Sequence, residues 1–355
     1  MQLFFYNKEL ELLDVVEGFT SLRWVRRYSK VGEFELHMLY NEKTKKLFKS
    51  DVIVGRKDVP EAAIIESVKF EDKATETAVV KGRFISSLFD RRIIQGTMNF
   101  NSTAEDAMRT AIQQNAIAPT NNARIIERVA LATRKGLPIR IAAQVSDRSL
   151  LQTIENFANA SALGFRTYID EAQKKLFFEV YEGVDRSALQ TAVPKIIFSD
   201  EKKNLQEAEF SEENRHYKNV STIAGEGEGA DRTRVTIGTA QGWERRESFV
   251  DARDLNSDGL TPTEYADLLR ERGRQKQESM TKIEMFEGKL SNTALQEYKT
   301  GYDLGDIVTI EHKQWGKIKH ERITEISEVY ENGKAIFTPT FGSPLPTIID
   351  LLKEG

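Results

Sequence analysis

The alternation of apolar residues between Leu22 and Met38 constrains the fold more than any other stretch of this sequence. Leu22 and Trp24, with Val25 and Tyr28 less regularly, lead into a turn, and Phe34, Leu36 and Met38 resume the alternation after it. A period of two sends successive side chains to opposite faces of a strand, so this stretch predicts a long hairpin, apolar on one side and strongly charged on the other. Ser29-Lys30-Val31-Gly32 supplies the turn, with Gly32 expected there for its access to positive φ.

The same signal recurs through residues 1 to about 95. Asp51–Gly55, Ala62–Phe70 and Thr77–Ile85 read as strands, the last two joined by the polar turn Glu71-Asp72-Lys73-Ala74. Asn41–Phe48 is the one short helix expected here. Many short strands at regular spacing imply a barrel or sandwich, which also protects strand edges.

From about 96 to 195 the period changes to that of helices. Ser102-Thr103-Ala104-Glu105 reads as a capping box opening a helix that runs to about Asn115. Ser146-Asp147-Arg148-Ser149 opens a second, with Leu150, Ile154, Phe157 and Ala158 on one face, stopping near Gly164. Phe165–Ile169 and Leu176–Tyr181 form a hairpin around Asp170-Glu171-Ala172-Gln173, which completes an α+β unit. Strands then return at Ile196–Ser199, Asn204-Leu205, Tyr217–Ala224, Arg234–Gly238 and Val250–Leu255. Thr261-Pro262-Thr263-Glu264 caps a third helix ending near Gln277, which is expected to join the central α+β unit. Ile283–Leu290, Ile307–His312, Ile318–Tyr330 and Ala335–Phe341 read as strands, with tight turns at Trp315-Gly316 and Asn332-Gly333. A short tail carries Pro344, Pro346 and Ile348–Leu352.

The predicted fold class is thus α+β and β-rich: two β-barrel-like domains flank or support a smaller α+β domain. The boundaries are 1–95 for the first barrel, 96–195 plus 251–280 for the α+β domain, 196–250 plus 281–342 for the second barrel, and 343–355 for the tail. A chain of 355 residues is long enough for this division.

Composition limits the chemistry. The net charge is −4 with 30% charged residues of mixed sign, which gives no basic stripe for DNA. Lys43, Lys45, Lys46 and Lys49 cluster on a short stretch and read as a solvated face. The absence of cysteine excludes disulfides and thiolate chemistry. Residues 1–10 show no signal-peptide pattern, and no apolar run reaches the ~20 residues that span a bilayer. A soluble chain made in the cytoplasm is expected.

Several motifs have the residue types of a site. Asp254-Leu255-Asn256-Ser257-Asp258-Gly259 resembles the first half of a calcium loop, but the twelfth position is Tyr265 and Glu264 sits one residue early. It is read as a polar loop before a helix. Gly225-Glu226-Gly227-Glu228-Gly229 lacks dinucleotide-loop spacing, and its two acids would repel a phosphate, so it reads as a flexible hairpin tip. His312 and His320 flank the Trp315-Gly316 turn, but nothing in the sequence fixes the third ligand a metal needs, so they read as solvated strand histidines. Hydrolase elbows, zinc-protease helices and phosphate loops are absent from the sequence. Acid pairs for glycoside hydrolysis stay open among 55 acids. We assign no catalytic, cofactor-binding or metal residue and expect no cofactor and no enzyme activity.

Short blocks along the chain carry a family likeness. They are Trp24-Val25-Arg26-Arg27-Tyr28 with Gly32-Glu33-Phe34-Glu35-Leu36, Gly82-Arg83 with Asp90-Arg91-Arg92-Ile93-Ile94, Tyr181-Glu182-Gly183-Val184-Asp185-Arg186, Phe198-Ser199 with Asn204-Leu205 and Lys218-Asn219, and Tyr302-Asp303-Leu304-Gly305-Asp306-Ile307-Val308. In this order they resemble tail hub proteins from phages and prophages of Gram-positive bacteria, which look like relatives of the baseplate hub of contractile tails. Arg91 and Arg92 themselves are expected to pair with surface acids. The resemblance implies a structural virion protein of the tail or baseplate, assembled in the host cytoplasm. It implies a homotrimer whose six barrels meet a sixfold tail tube or distal tail protein, and whose threefold face meets a spike, tip or fibre protein. DNA would pass through its channel without sequence-specific contact. Because the chain stops at Gly355, no lysin domain of its own is expected. The alternatives from other classes are a cell-wall or polysaccharide hydrolase and a host-glycan-binding module.

Overall fold

A computed structural model describes residues 1–42, 44–71, 77–278, 280–291 and 298–342. Most of the Glu71–Ala74 turn, Lys43 of the lysine cluster, and the Pro344 and Pro346 tail lie outside the described residues. The chain divides into two compact units, one of residues 1–209 with 286–342 and one whose described part is 210–285.

Seven strands come first: β1 (Leu3–Tyr6), β2 (Leu12–Val16), β3 (Ser21–Arg27), β4 (Glu33–Leu39), β5 (Ile53–Gly55), β6 (Ala63–Glu71) and β7 (Thr77–Phe84). A mixed region follows with β8 (Thr97–Thr103), α1 (Ala104–Ile112), β9 (Val129–Leu131), β10 (Arg140–Ser146), α2 (Leu150–Ala160), β11 (Gly164–Asp170) and β12 (Lys175–Tyr181). The remainder holds β13 (Ile197–Ser199), β14 (Leu205–Glu213), β15 (Val220–Ala224), β16 (Arg234–Ile237), β17 (Glu247–Asp251), α3 (Pro262–Glu278), β18 (Ile283–Leu290), β19 (Ile307–His312), β20 (Lys317–Glu331) and β21 (Lys334–Gly342). The fold class is α+β and β-rich, as the periodicities predict. The short helix expected over Asn41–Phe48 shrinks to one tight turn at Lys45–Leu47.

The main sheet runs β14-β18-β21-β20-β3-β4-β7-β6-β5-β1-β2, with β19 joined to β20 and β13 to β19. Its middle is the β3–β4 hairpin, in register Leu22↔Leu36 and Trp24↔Phe34. Gly32 does not take positive φ. It is needed for space, because a Cβ there would lie 2.3 Å from the Val25 carbonyl oxygen and 2.6 Å from the Phe84 ring. β20 is the longest strand and serves two ladders. Its first part pairs with β19, and from Glu325 onward it lies between β3 and β21. The register slips between Ile323 and Glu325, a bulge that bends the strand where it changes partners. At the bend Thr324 accepts the Tyr28 N–H at 2.9 Å and donates its hydroxyl to the Gly342 carbonyl at 2.6 Å.

Trp24, fully buried, packs on Phe34 and Phe84 with ring centres 5.8 and 4.8 Å away. The same apolar cluster continues through Met108, Ile112, Leu150, Ile154 and Phe157, so the first strands share one core with α1 and α2. α2 is capped by Ser149, which accepts the Gln152 N–H at 3.3 Å. α1 starts one residue later than expected. Thr103 caps it, accepting the Asp106 N–H at 3.2 Å, while Glu105 turns inward and accepts the N–H groups of Lys135, Gly136 and Leu137 at 2.6–2.9 Å. The acid read as half of a capping box therefore anchors a distant loop.

In the second unit β15 pairs antiparallel with β16 and parallel with β17. The Thr261 and Glu264 cap forms as predicted, with Thr261 N–H donating to Glu264 at 2.8 Å and Glu264 N–H to the Thr261 hydroxyl at 3.3 Å. The sequence placed α3 with residues 96–195 and 251–280 in one domain. Instead its apolar residues Tyr265 and Leu269 close on Ile223 and Val250 of this small sheet and on Ala252 and Leu255 just after β17. Gly273 permits the approach, since a Cβ there would lie 2.4 Å from the Ile223 side chain.

Candidate functional site

The densest chemistry among the described residues is a buried charge node in the first unit. Arg26 occupies the apolar register of β3, two positions after Trp24, and its side chain is 1% exposed. It donates through Nε and one terminal nitrogen to both oxygens of buried Glu61, at 3.0 and 2.9 Å. Its other terminal nitrogen reaches the Tyr298 hydroxyl at 2.9 Å and Asp303 at 2.6 Å. Burial disfavours the charged guanidinium, but Glu61, Tyr298 and Asp303 outweigh it and hold Arg26 well above the usual arginine range.

Tyr298 links Arg26 to a second ion pair. Its hydroxyl donates to Glu328 at 2.8 Å, and Glu328 also accepts the Tyr330 hydroxyl at 2.7 Å. Glu328 sits on the register of β20 that faces Trp24, and it is fully buried. Arg56 lies 2.8 Å from it, close enough for an ion pair, at an angle too poor for a hydrogen bond. Arg56 also grips Asp58 with two nitrogens, at 2.9 and 2.5 Å, and its guanidinium stands 5.4 Å from the Trp24 ring centre and 5.3 Å from that of Tyr330. Lys299 closes the chain of charges on Asp58 at 2.6 Å. Burial would raise the Glu328 carboxyl, yet Arg56, Lys299 and Arg26 together hold it below its ordinary value. Asp58 is likewise lowered, against its own burial, by Arg56 and Lys299.

Beside this node, Tyr28 is wedged between two glycines. A Cβ at Gly164 or Gly305 would lie 2.4 Å from its ring, and one at Gly183 would lie 1.9 Å from the Gly305 oxygen. Its hydroxyl accepts the Gly183 N–H at 3.2 Å. Buried Asp306 accepts the N–H of Val184 at 2.7 Å, the N–H of Asp303 at 3.1 Å and Arg186 Nε at 2.8 Å. The blocks around Arg26, Gly183 and Asp306, far apart in sequence, thus meet in one place. The partners Glu61, Arg56, Tyr298 and Glu328 were not singled out from sequence. A legible signal did exist: Arg26 and Glu328 each stand in the apolar phase of their strand.

The other sequence candidates lie apart. His312 and His320 do not face each other: His320 bonds Thr309 at 2.9 Å, while His312 stacks on Trp315 at 3.6 Å. In the calcium-like loop, both Asp254 oxygens are taken by Arg272 at 3.1 and 3.0 Å, and Asn256 and Asp258 bond each other. The Gly225–Gly229 tip is braced rather than loose, because buried Arg232 bonds the Gly225 carbonyl at 2.8 Å and Asp251 at 2.6 Å. Arg91 pairs with Asp51 at 2.6 Å as expected. Among the described residues Arg92 meets no acid; it donates to the carbonyls of Arg124, Arg91 and Ile125. No helix among the described residues is long and apolar enough to cross a membrane.

Chemically the node holds strands together: its carboxylates are engaged by guanidinium, ammonium or phenol groups. Comparison with known proteins agrees with such a scaffold. In fold, the chain is similar to the 43 kDa tail protein of prophage MuSo2 from Shewanella oneidensis, with TM-score 0.61 and 14% identity over 96% of this chain and 98% of that one. The tail protein from Neisseria meningitidis MC58 gives 0.61 and 10% identity, over 96% of each chain. Prophage tail protein gp18 from Listeria monocytogenes EGD-e gives 0.57 and 11%, over 99% of this chain and 98% of that one. No curated protein sequence matches. The model of the Siphovirus ReqiPepy6 Gp37-like protein family matches residues 2–343, and the chain belongs to that family.

Proposed function

We infer that this chain is a structural component of a phage tail, a hub that works by binding geometry rather than by catalysis. Three copies close into a ring, and the two strand-rich regions of each copy present six similar modules to the hexameric tube. The modules are residues 1–95 and the strands within 196–342, with 96–195 between them. The threefold face then seats a spike, tip or fibre, and the DNA path runs through the centre of the ring. The observation that carries this reading is β20, whose first part pairs with β19 and whose second part lies between β3 and β21, so that two strand-rich regions of one chain are joined by a single strand. The charge node supports it, since its carboxylates are locked to arginine and lysine.

Light scattering across a range of protein concentrations tests the proposal. A particle of three times 40.4 kDa is expected. A stable monomer that cleaves cell wall would overturn it.

A further inference from the structure

A cleft of about 320 Å³ is lined by Asp90, Arg91, Arg92, Ile93, Ala123 and Arg124. Its charges are unevenly matched. Arg91 is neutralised by Asp51, and Asp90, the one acid of the lining, is turned to Arg83 at 3.1 Å and Ser149 at 3.1 Å. Among the described residues Arg92 has only carbonyl partners, those of Arg124, Arg91 and Ile125 at 2.5, 2.8 and 3.3 Å. Arg124 has only neutral ones: Gln95 at 2.9 Å, Asn115 at 3.4 Å and the Ile93 carbonyl. Among the described residues these two guanidiniums thus stand without a carboxylate of their own. Burial, and then the nearby Arg124 and Arg91, press Arg92 below the usual arginine range. Ile93 lines the cleft at 49% exposure, and Ile125, next in sequence to Arg124, is 38% exposed. Arginine is among the residues enriched at protein-binding surfaces and their hot spots.

The chain itself carries a matching element. Glu228 and Asp231 project from the glycine-bounded tip after β15, both exposed, and neither forms an ion pair among the described residues. The tip is narrow, because Gly227 and Gly229 take positive φ of 100° and 55° around Glu228. Arg232 braces it from below through the Gly225 carbonyl, so little ordering remains to be done on docking. Ring closure requires two different patches that meet head to tail. We propose that the Arg92–Arg124 cleft of one copy receives the Glu228–Asp231 tip of a second copy of this chain. The proposal rests on the ring reading above and names its contact.

The lack of cysteine makes the test clean. Full-length chains carrying Ala123→Cys are mixed with full-length chains carrying Glu228→Cys and oxidised. The expected result is a covalent dimer of the two, formed less readily when salt is raised, and a covalent trimer when both substitutions sit on one chain. A second variant, Glu228→Lys with Asp231→Lys, lies wholly on the exposed tip and spares the fold. It should weaken self-association by about tenfold or more. A particle that still self-associates yet gives no mixed cross-link overturns this contact and leaves the ring standing. A chain that stays monomeric and gives no cross-link overturns both. A covalent ladder running past three supports the contact and overturns threefold closure.

Discussion

β3 carries charge on both of its faces, and the two faces behave differently. On the outer face Arg23 meets Glu33 at 3.0 Å, Arg27 meets Glu325 at 2.7 Å, and the pattern continues across the sheet through Glu35 with Lys81 and Arg83 with Glu66. These side chains keep from about a quarter to over half of their surface open to water, and the most exposed pairs contribute little each. On the inner face Arg26, Glu61, Arg56 and Glu328 use the same chemical groups with almost no exposure. Desolvation there costs so much that no partner can be removed cheaply. Identical residue types thus describe a solvated surface on one side and a structural lock on the other.

The comparison breaks most visibly at Arg26. Arg26→Met leaves Glu61 buried without its two-point partner, and chemical denaturation should show a loss of about 3–5 kcal/mol. A loss no larger than that of an exposed pair would mean the inner face is not special. Next comes Gly305→Ala, which places a Cβ against Tyr28 at a residue with φ +94°. Overpacking of this kind costs about 1–3 kcal/mol, read as a lowered melting temperature, with partial recovery when Tyr28→Leu is added.

pH sharpens the contrast. Glu328, Asp58 and Glu33 are all held below their ordinary values of 4.5, 3.8 and 4.5. The folded chain therefore binds fewer protons than the unfolded chain in acid, so stability rises with pH there. Their contribution should be complete above about pH 5 and lost as the pH falls through 4 and below. Glu155 runs the other way, since burial raises its carboxyl, and it offsets part of this slope. Glu328→Gln should flatten the acid limb of a melting-temperature profile; an unchanged limb would remove Glu328 from the account. The smallest effect is on the outer face. Arg23→Ala should change stability by less than about 1 kcal/mol, and salt should erase the difference.

What the sequence made legible follows from range. The hairpin at Asn332-Gly333, where both residues take positive φ of 51° and 71°, and the cap at Thr261 depend on neighbours within a few positions. Glu105 was misassigned because a local motif explained it before its partners some thirty residues away could be known. The partner of α3 was missed because an amphipathic face says that it is covered, not by what. The charge node was the hardest to see: Tyr298 and Asp303 stand more than 270 positions from Arg26, and only the phase of Arg26 in its strand hinted that it was buried.

The bend of β20 at Thr324 also sets the order in which this molecule can be completed. β3 is made among the first thirty residues, but one of its two hydrogen-bonding edges is filled by residues 325–331. Until the ribosome has nearly finished the described chain, that edge stays open and Arg26 lacks Tyr298 and Asp303. A nascent chain would hold an unfilled strand edge and a desolvating arginine side by side, a condition that favours pairing with the wrong chain. The interval between synthesis of β3 and of β20 is therefore when this protein is most exposed to misassembly, and slower elongation would lengthen it.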